Sequence, residues 1–409
     1  MKLSLIICVY NTPMEYLTEA LESIARSTLR DYEICMVDDG STEDYTALAA
    51  RYGVRLQKTE NSGILAARLR GIEMAQGEYC AFFDSDDTIS VHYHQPMLEK
   101  AAETDADIVI NGWAFHTAHT RYATPNDSTL SQEIDLCGDE VLLAFAAQAG
   151  REQSYYVTWN KIYRREILKT AAKCIAESPL GGDRICYGED MLINFYAFRE
   201  AKRVCNVRTG YYFYRIHANQ SVQVIHEERL RAQLIAMADI FALAISQVGE
   251  HPHREQILRH MHAWRALMSR THYSHAAAQG YKSLYPLIME KYGVTELKRS
   301  TWHDSSVYYR ARLLPDNIEE IDAALRPLFD VDAPTKVCYA RKDTYVKRMM
   351  AVLKEEGKAL IYDKNAEIRI PREQIRFRNR VLHNDLIYAA GVLLFPKGSG
   401  LRAWLKRIL

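Results

Sequence analysis

Short apolar runs alternate with helical patterns over the first hundred residues of the chain. The runs are rich in Ile, Val, Phe, Tyr and Cys, a composition typical of strands buried on both faces of a parallel sheet. The predicted strands cover residues 3–10, 33–37, 54–57 and 79–84.

A helix is predicted between the first two strands. Thr12 and Glu15 have capping-box spacing, and Pro13 stands between them at a favourable first helical position. Leu17 and Leu21 then begin an apolar stripe with helical period. Strand–helix–strand alternation of this kind predicts an α/β class with a wound, mostly parallel sheet and flanking helices.

The pattern changes further along the chain. Strands are predicted near residues 106–113, 203–207 and 211–216, and a helix over 189–200, while 117–150 looks polar and irregular. After about residue 225 long helical stripes dominate. We therefore predict an α/β domain over 1–225 and a mostly α-helical C-terminal domain over 226–409.

Composition narrows the functional classes. The 409 residues hold 52 Lys+Arg and 52 Asp+Glu, a balance that argues against a general nucleic-acid binder. No apolar run reaches the roughly 20 residues of a spanning helix, and neither a secretory signal nor a CxxC pair among the eight cysteines is evident. These features predict a cytoplasmic protein.

The last residues of the chain form a basic amphipathic tail. Over 365–409 there are nine Lys/Arg and three Asp/Glu, and Leu401, Trp404 and Ile408 share one helical face. Such a helix can lie on an anionic membrane surface, which would make the protein peripheral on the inner face. It can equally dock on its own domain or across a homodimer, and both interpretations stay open.

Polar residues at the strand ends are the candidates for chemistry, because ligands of open α/β sheets bind beyond the carboxyl ends of the strands. Asp38 and Asp39 follow the second strand, and Asp84, Asp86 and Asp87 follow the fourth. Such crowded carboxylates indicate a divalent cation, Mn²⁺ or Mg²⁺, although a solvated acidic turn is the alternative. Neither GxGxxG nor GxxxxGK[ST] is present, which disfavours a dinucleotide-binding dehydrogenase and a P-loop kinase.

An ordered set of short motifs spans about residues 3–225. The motifs are Val9-Tyr10-Asn11, Val37-Asp38-Asp39-Gly40-Ser41, Asn61-Ser62-Gly63, Ala67-Arg68, Gly77-Glu78-Tyr79, Asp84-Ser85-Asp86-Asp87, Trp159-Asn160-Lys161, Gly188-Glu189-Asp190 and Tyr214-Arg215-Ile216-His217. Each motif is weak alone, but their order is specific, and the ordered set resembles glycosyltransferase family 2.

The resemblance implies a GT-A fold and inverting transfer of a sugar from a nucleoside diphosphate, usually a UDP-sugar. On the donor side it implies that Tyr10 stacks on the base, Asp39 hydrogen-bonds the base, Arg68 helps to fix the nucleotide, and Asp84 begins the DxD that binds ribose and metal.

The resemblance also implies the metal ligands Asp86, Asp87 and His217. His217 would lie on the segment that closes over the diphosphate.

The resemblance implies that Asp190 is the general base that takes the proton of the acceptor hydroxyl. A charge at a helix start is the alternative reading of Asp190. Trp159, Asn160 and Lys161 are expected to contact a glycan or lipid-linked acceptor, with core packing as the alternative for the aromatic residue.

Two departures from the family pattern matter. Leu69 stands where the family often has Asn, which removes one donor-side hydrogen bond, and the Q-x-x-R-W signature of processive synthases is absent. One sugar per encounter is therefore predicted, in cell-surface polysaccharide synthesis. Two alternatives stay open: a sugar nucleotidyltransferase and an inactive scaffold of a glycan assembly complex.

Overall fold

A computed structural model of the chain describes seven stretches of residues. They are 2–116, 121–123, 133–215, 226–298, 312–314, 358–362 and 367–371. His217 and the basic tail from 398 lie outside these described residues.

Fifteen strands occur in the described residues. In chain order they are β1 Leu3–Val9, β2 Tyr32–Asp38, β3 Arg55–Lys58, β4 Tyr79–Asp84, β5 Thr88–Ile89, β6 Ile108–Ile110, β7 Trp113–His116, β8 Arg121–Ala123, β9 Asp135–Cys137, β10 Lys161–Arg164, β11 Arg203–Asn206, β12 Tyr212–Arg215, β13 Arg312–Leu314, β14 Lys358–Tyr362 and β15 Glu367–Pro371.

Eleven α-helices occur in the same described stretches. They are α1 Met14–Ala25, α2 Thr46–Arg51, α3 Ile64–Met74, α4 Gln95–Thr104, α5 Glu140–Gln148, α6 Gln153–Tyr156, α7 Arg165–Ala176, α8 Glu189–Glu200, α9 Glu227–Ser246, α10 Arg254–Gln279 and α11 Tyr285–Tyr292.

The central sheet has eight strands in the order β3-β2-β1-β4-β10-β6-β11-β9. The first four are parallel, whereas β10 runs antiparallel to both of its neighbours. A second sheet has the order β13-β8-β7-β12-β5, and β14 pairs with β15 alone. The predicted α/β class, with a large central sheet and flanking helices, is confirmed.

The register of β1 brings the acidic strand ends together. Val9 pairs with Asp38 on one side, and Cys8 pairs with Asp84 on the other. Because these strands are parallel, their carboxyl ends meet at one edge of the sheet, which we call the carboxyl edge. The candidate site residues of β1, β2 and β4 therefore lie close together, as the sequence predicts.

Helices cover both faces of the sheet. On one face α1 and α4 pack through Leu17, Leu21 and Met97. On the other face α8 packs with α9 and α10, and Phe241 and Trp264 belong to the same apolar cluster as the buried face of α8. One core thus includes residues from both sides of the predicted boundary near 225, and the division into two domains stays a prediction.

Several element predictions need correction. The strand predicted over 106–113 is interrupted at Asn111, whose side chain donates to Tyr93 O at 3.0 Å and Thr209 O at 3.1 Å. The polar stretch predicted over 117–150 contains α5, with Phe145 fully buried. Thr12 does not cap α1; its hydroxyl hydrogen-bonds Ser85 at 2.7 Å.

Two further features concern the described residues as a whole. The seven cysteines within the described residues are free thiols. Among the helices of those residues, none is long and apolar enough to cross a membrane.

Candidate active site

The loops after β1 and β2 are tied to each other at the carboxyl edge. Asn11 has a left-handed φ of 51°, and its Oδ1 accepts a hydrogen bond from Thr42 N at 2.9 Å. Its backbone N–H donates to Ser41 Oγ at 2.9 Å. The adjacent Tyr10 is 56% exposed, so its ring is available as a stacking platform, as its predicted role requires.

Asp39 braces the loop that follows β3. Its two carboxylate oxygens accept hydrogen bonds from Ser62 N at 2.8 Å and Gly63 N at 2.9 Å. Gly63 has a φ of +92°, and a Cβ there would lie 3.1 Å from Ile185 O, so glycine is required. Each carboxylate oxygen has a second lone pair, and the predicted hydrogen bond from Asp39 to a base stays a prediction.

Arg68 is the centre of an acidic cluster. From α3, its buried guanidinium donates through Nη2 to Asp84 Oδ1 at 3.2 Å and through Nη1 to Asp190 Oδ1. Nη1 also lies 3.3 Å from Glu189 Oε1. One cation therefore faces three carboxylates, which come from β4 and from the first turn of α8.

Burial leaves two of these carboxyls reluctant to ionise. Desolvation raises the pKa of Glu189 to about 7 and that of Asp84 to about 6. Arg68 opposes both shifts, while Asp190 raises both. At neutral pH the cluster therefore gains from a further cation.

The DxDD turn after β4 is held by Arg215 at the end of β12. Arg215 N donates to Asp87 Oδ1 at 2.6 Å, its Nε donates to Asp86 O at 2.6 Å, and its guanidinium binds Glu19 on α1. His217, which follows this residue, lies outside the described residues.

Asp87 has the strongest need of a cation. Its Oδ2 is buried without a hydrogen-bond partner. Burial raises its pKa well above the ordinary value, and Asp86 and Asp84 raise it further. The Tyr212 hydroxyl opposes part of this rise, but it does not reach hydrogen-bond geometry with Oδ2.

The turn fits a hard divalent cation by its chemistry, because its donors are carboxylate oxygens and one buried oxygen lacks a partner. In the part of the chain that the structure describes, no group of three or more His, Cys, Asp or Glu side chains is arranged to hold a metal. The ligand set of Asp86, Asp87 and His217 stays a prediction.

The three predicted acceptor residues are buried. Trp159 stacks on Tyr212 with ring centroids 4.5 Å apart. Lys161 donates from Nζ to Ser154 O at 2.6 Å, to Asn160 Oδ1 at 2.8 Å and to Val157 O. These contacts fix the turn before β10, and contact of Trp159, Asn160 and Lys161 with an acceptor stays a prediction.

Sequence reasoning missed two side chains that touch this cluster. Thr158 donates to Asp190 Oδ1 at 2.6 Å and accepts from Arg68 Nη1 at 3.0 Å. Glu189 stands in the motif beside Asp190, but only its neighbour received a role. Thr158 directly precedes the Trp159-Asn160-Lys161 motif, and that position was its only sequence signal.

The start of α8 is fixed from behind by α9. Gly188 has a φ of +86°, and a Cβ there would lie 3.0 Å from Ile240 Cδ1 and 3.1 Å from Met237 Cε. A glycine lets the chain turn into α8 while α9 packs directly against the turn. The helical part of the chain therefore helps to set the position of Asp190.

Comparisons with known proteins agree with this architecture. A fragment of S. aureus TarS, residues 1–349 in complex with UDP-GlcNAc, superposes with a TM-score of 0.55 at 20% identity, covering 71% of this chain and 79% of that one. The wound sheet with acidic residues at its carboxyl edge is thus a GT-A-type fold. Residues 4–171 match the model of glycosyl transferase family 2.

Two curated relatives each match more than half of this chain. The putative glycosyltransferase EpsH of Bacillus subtilis (strain 168) is 35% identical over 227 residues, which are 54% of this chain and 62% of EpsH. The cholesterol galactosyltransferase of Borreliella burgdorferi is 27% identical over 243 residues, 56% of this chain and 65% of that protein. The match thus spans less than two thirds of the length of either relative.

Proposed function

We propose that the chain is an inverting, divalent-metal-dependent glycosyltransferase. It moves one sugar from a nucleoside-diphosphate sugar, a UDP-sugar, to a hydroxyl of a glycan or lipid-linked acceptor in cell-surface polysaccharide synthesis. One observation carries the proposal: a single guanidinium, Arg68, holds both Asp84 at the donor strand end and Asp190 at the start of α8. The family match and the UDP-GlcNAc complex of TarS support the nucleotide-sugar donor.

One set of residues binds the nucleotide-sugar donor. Tyr10 and Asp39 bind the base, Asp84 binds the ribose, and Asp86 and Asp87 hold Mn²⁺ or Mg²⁺ together with His217. When bound, the metal neutralises charge on the diphosphate leaving group.

Asp190 takes the proton of the attacking hydroxyl on the opposite face of the sugar. The anomeric carbon passes through an oxocarbenium-like state, so a single displacement inverts its configuration.

The setting of the enzyme is part of the same proposal. We propose that the enzyme lies in the cytoplasm and binds the inner face of the membrane through its basic C-terminal tail. We also propose that it transfers a hexosyl or N-acetylhexosaminyl group. Docking of that tail on its own domain or across a homodimer is the alternative consistent with its pattern.

The direct test is product analysis with a donor panel. The purified chain is incubated with UDP-glucose, UDP-galactose or UDP-GlcNAc, with Mn²⁺ and p-nitrophenyl glycosides, and UDP and the glycoside masses are measured. We expect UDP release and one added sugar with one donor. Release of pyrophosphate in a parallel incubation with UTP and a sugar 1-phosphate would instead indicate a nucleotidyltransferase. No turnover together with no nucleotide binding would indicate a scaffold.

A matched pair of variants tests the base. Asp190→Asn should lower turnover by about 100-fold or more, the usual scale of general-base catalysis. Asp183→Asn removes an exposed carboxylate from the loop just before α8 and should leave turnover unchanged. Undiminished turnover in Asp190→Asn would refute the base assignment.

A further inference from the structure

The two carboxylate oxygens of Asp190 have different surroundings. Oδ1 accepts hydrogen bonds from Arg68 Nη1 and from Thr158 Oγ1. No described residue donates to Oδ2. The Asp190 side chain is 17% exposed, compared with 5% for Arg68. The carboxylate is therefore held at one oxygen and remains accessible from solvent.

The direction of the Thr158 hydroxyl is fixed by its neighbours. A guanidinium only donates hydrogen bonds, so Thr158 Oγ1 must accept from Arg68 at 3.0 Å. Its single proton is then directed to Asp190 Oδ1, 2.6 Å away. A carboxylate that accepts both donors on one oxygen is restricted in rotation about its own axis.

The turn that presents Thr158 is rigid. Thr158 is fully buried, and the Lys161 ammonium binds the turn on both sides of it, at Val157 O and at Asn160 Oδ1. Asn111 N also donates to Asn160 O at 2.9 Å. The buried lysine therefore acts on Asp190 indirectly, by holding the turn.

A second contact sets the register of α8 against this turn. Asn194, one helical turn after Asp190, donates to Tyr156 O at 2.7 Å and accepts from the Tyr163 hydroxyl at 2.7 Å. Tyr163 OH lies 3.4 Å from Thr158 O. The helix and the turn are thus joined at two levels, one at Asp190 and one at Asn194.

We propose that Thr158 is a positioning residue for the base: together with Arg68 it fixes Oδ1 of Asp190 and leaves Oδ2 as the atom that takes the acceptor proton. This inference rests on the proposed function. The acceptor O–H proton passes to Oδ2 while the acceptor oxygen bonds to the anomeric carbon. The bond from that carbon to the diphosphate oxygen breaks, and its electron pair leaves with the nucleoside diphosphate.

The test uses Thr158→Val, which keeps the shape and removes the hydroxyl, and Thr158→Ser, which restores a hydroxyl. We expect Thr158→Val to lower kcat by about 10-fold or more, within the range of general-base effects, with the donor KM within about twofold of wild type. Thr158→Ser should recover most of the loss. Thr170→Val, an exposed threonine on α7, is the control, and thermal melts report whether each variant folds.

A measurement without turnover keeps the inference separate from the proposed function. In protein labelled with ¹³C at the Asp carboxyl, the chemical shift of the signal lost in Asp190→Asn is compared at one pH in wild type, Thr158→Val and Thr158→Ser. We expect this chemical shift to change in Thr158→Val, which lacks the hydroxyl donor to Oδ1, and to return in Thr158→Ser. An unchanged chemical shift in Thr158→Val would overturn the inference even if wild type transfers sugar, whereas absence of transfer by wild type would overturn only the proposed function. Equal loss in Thr158→Ser and Thr158→Val would also overturn it.

Discussion

The amino and carboxyl ends of the parallel strands differ in how many hydrogen-bond donors and cations their buried carboxylates have. At the amino end, Glu33 accepts hydrogen bonds from Ser4 Oγ and Gln76 N, each at 2.7 Å, and pairs with Arg55 at 2.5 Å. At the carboxyl edge, Asp84, Glu189 and Asp190 share the cation Arg68. One end matches a carboxylate with several donors, and the other crowds carboxylates around one cation.

The pKa values follow this difference. Burial would raise the pKa of Glu33, but the hydrogen bonds of Ser4 and Gln76 and the charge of Arg55 outweigh it and hold the pKa below its ordinary value. Burial raises the pKa of Glu189 to about 7 with only partial opposition from Arg68. The paired carboxylate at the amino end therefore stabilises the fold. The crowded carboxylates at the carboxyl edge lower its stability but form a site that attracts cations.

The largest effect should come from removing the central cation. Arg68→Met leaves three carboxylates without their shared partner and should cost about 3–5 kcal/mol of unfolding free energy, the scale for breaking a buried pair. The loss should be greater at pH 8 than at pH 5.5, because Asp84 and Glu189 protonate at the lower pH. Chemical denaturation at both pH values measures it.

Arg55→Met is the matched control at the amino end. The Arg55 side chain is 44% exposed, so its loss should cost about 1 kcal/mol or less. Equal losses in the two arginine variants would contradict the contrast between the two ends.

The buried Lys161 should rank next. Lys161→Met leaves the acceptors of the turn without their donor, each costing about 1–3 kcal/mol when buried and unsatisfied. The matched control is Lys169→Met on α7. The Lys169 side chain is 44% exposed, so this variant should have nearly the unfolding free energy of wild type in the same chemical denaturation. If Lys161→Met lost as little unfolding free energy as Lys169→Met, the turn would not depend on the Lys161 ammonium.

The smallest expected changes in unfolding free energy come from glutamine variants, and they have opposite signs at the carboxyl edge and at the amino end of the strands. Glu189 has a raised pKa, so its contribution to stability is present below its unfolded pKa and is lost as pH rises through about 7. Glu189→Gln should therefore be more stable than wild type at pH 8, with the gain shrinking towards pH 5.

Glu33→Gln should do the reverse. The pKa of Glu33 is lowered, so its contribution is present above its unfolded pKa and is lost as pH falls through the folded value. The variant should be less stable than wild type at pH 7 by about 1 kcal/mol, and the difference should fade in acid. The same sign in both glutamine variants would contradict the comparison.

Local patterns predicted the elements well where one period dominates. The strand at 79–84 and the helix at 189–200 occur as predicted, since a buried strand and a helix with charged first turn have clear signatures. The helix at 140–148 was missed because the polar residues before it dominate the pattern. Thr12 has a capping sequence, but the closer hydroxyl of Ser85 competes for it.

The site was predicted as a set of strand ends, but its connections were not. Arg68 and Asp190 are 122 residues apart in the chain, and their contact depends on how α3 and α8 pack on the sheet. Lys161 is expected on a surface, because lysine is rarely buried without partners. Its burial follows from carbonyls that only the folded turn brings together.

Calorimetric titration of UDP into the protein, with and without Mn²⁺, is the decisive test of a metal-dependent nucleotide site. We expect UDP binding that is strengthened by Mn²⁺ in wild type and loses most of that gain in Asp86→Asn, with GDP, CMP and dTDP binding more weakly. Absence of binding by any of these nucleotides, or UDP binding that is indifferent to both Mn²⁺ and Asp86→Asn, would contradict it.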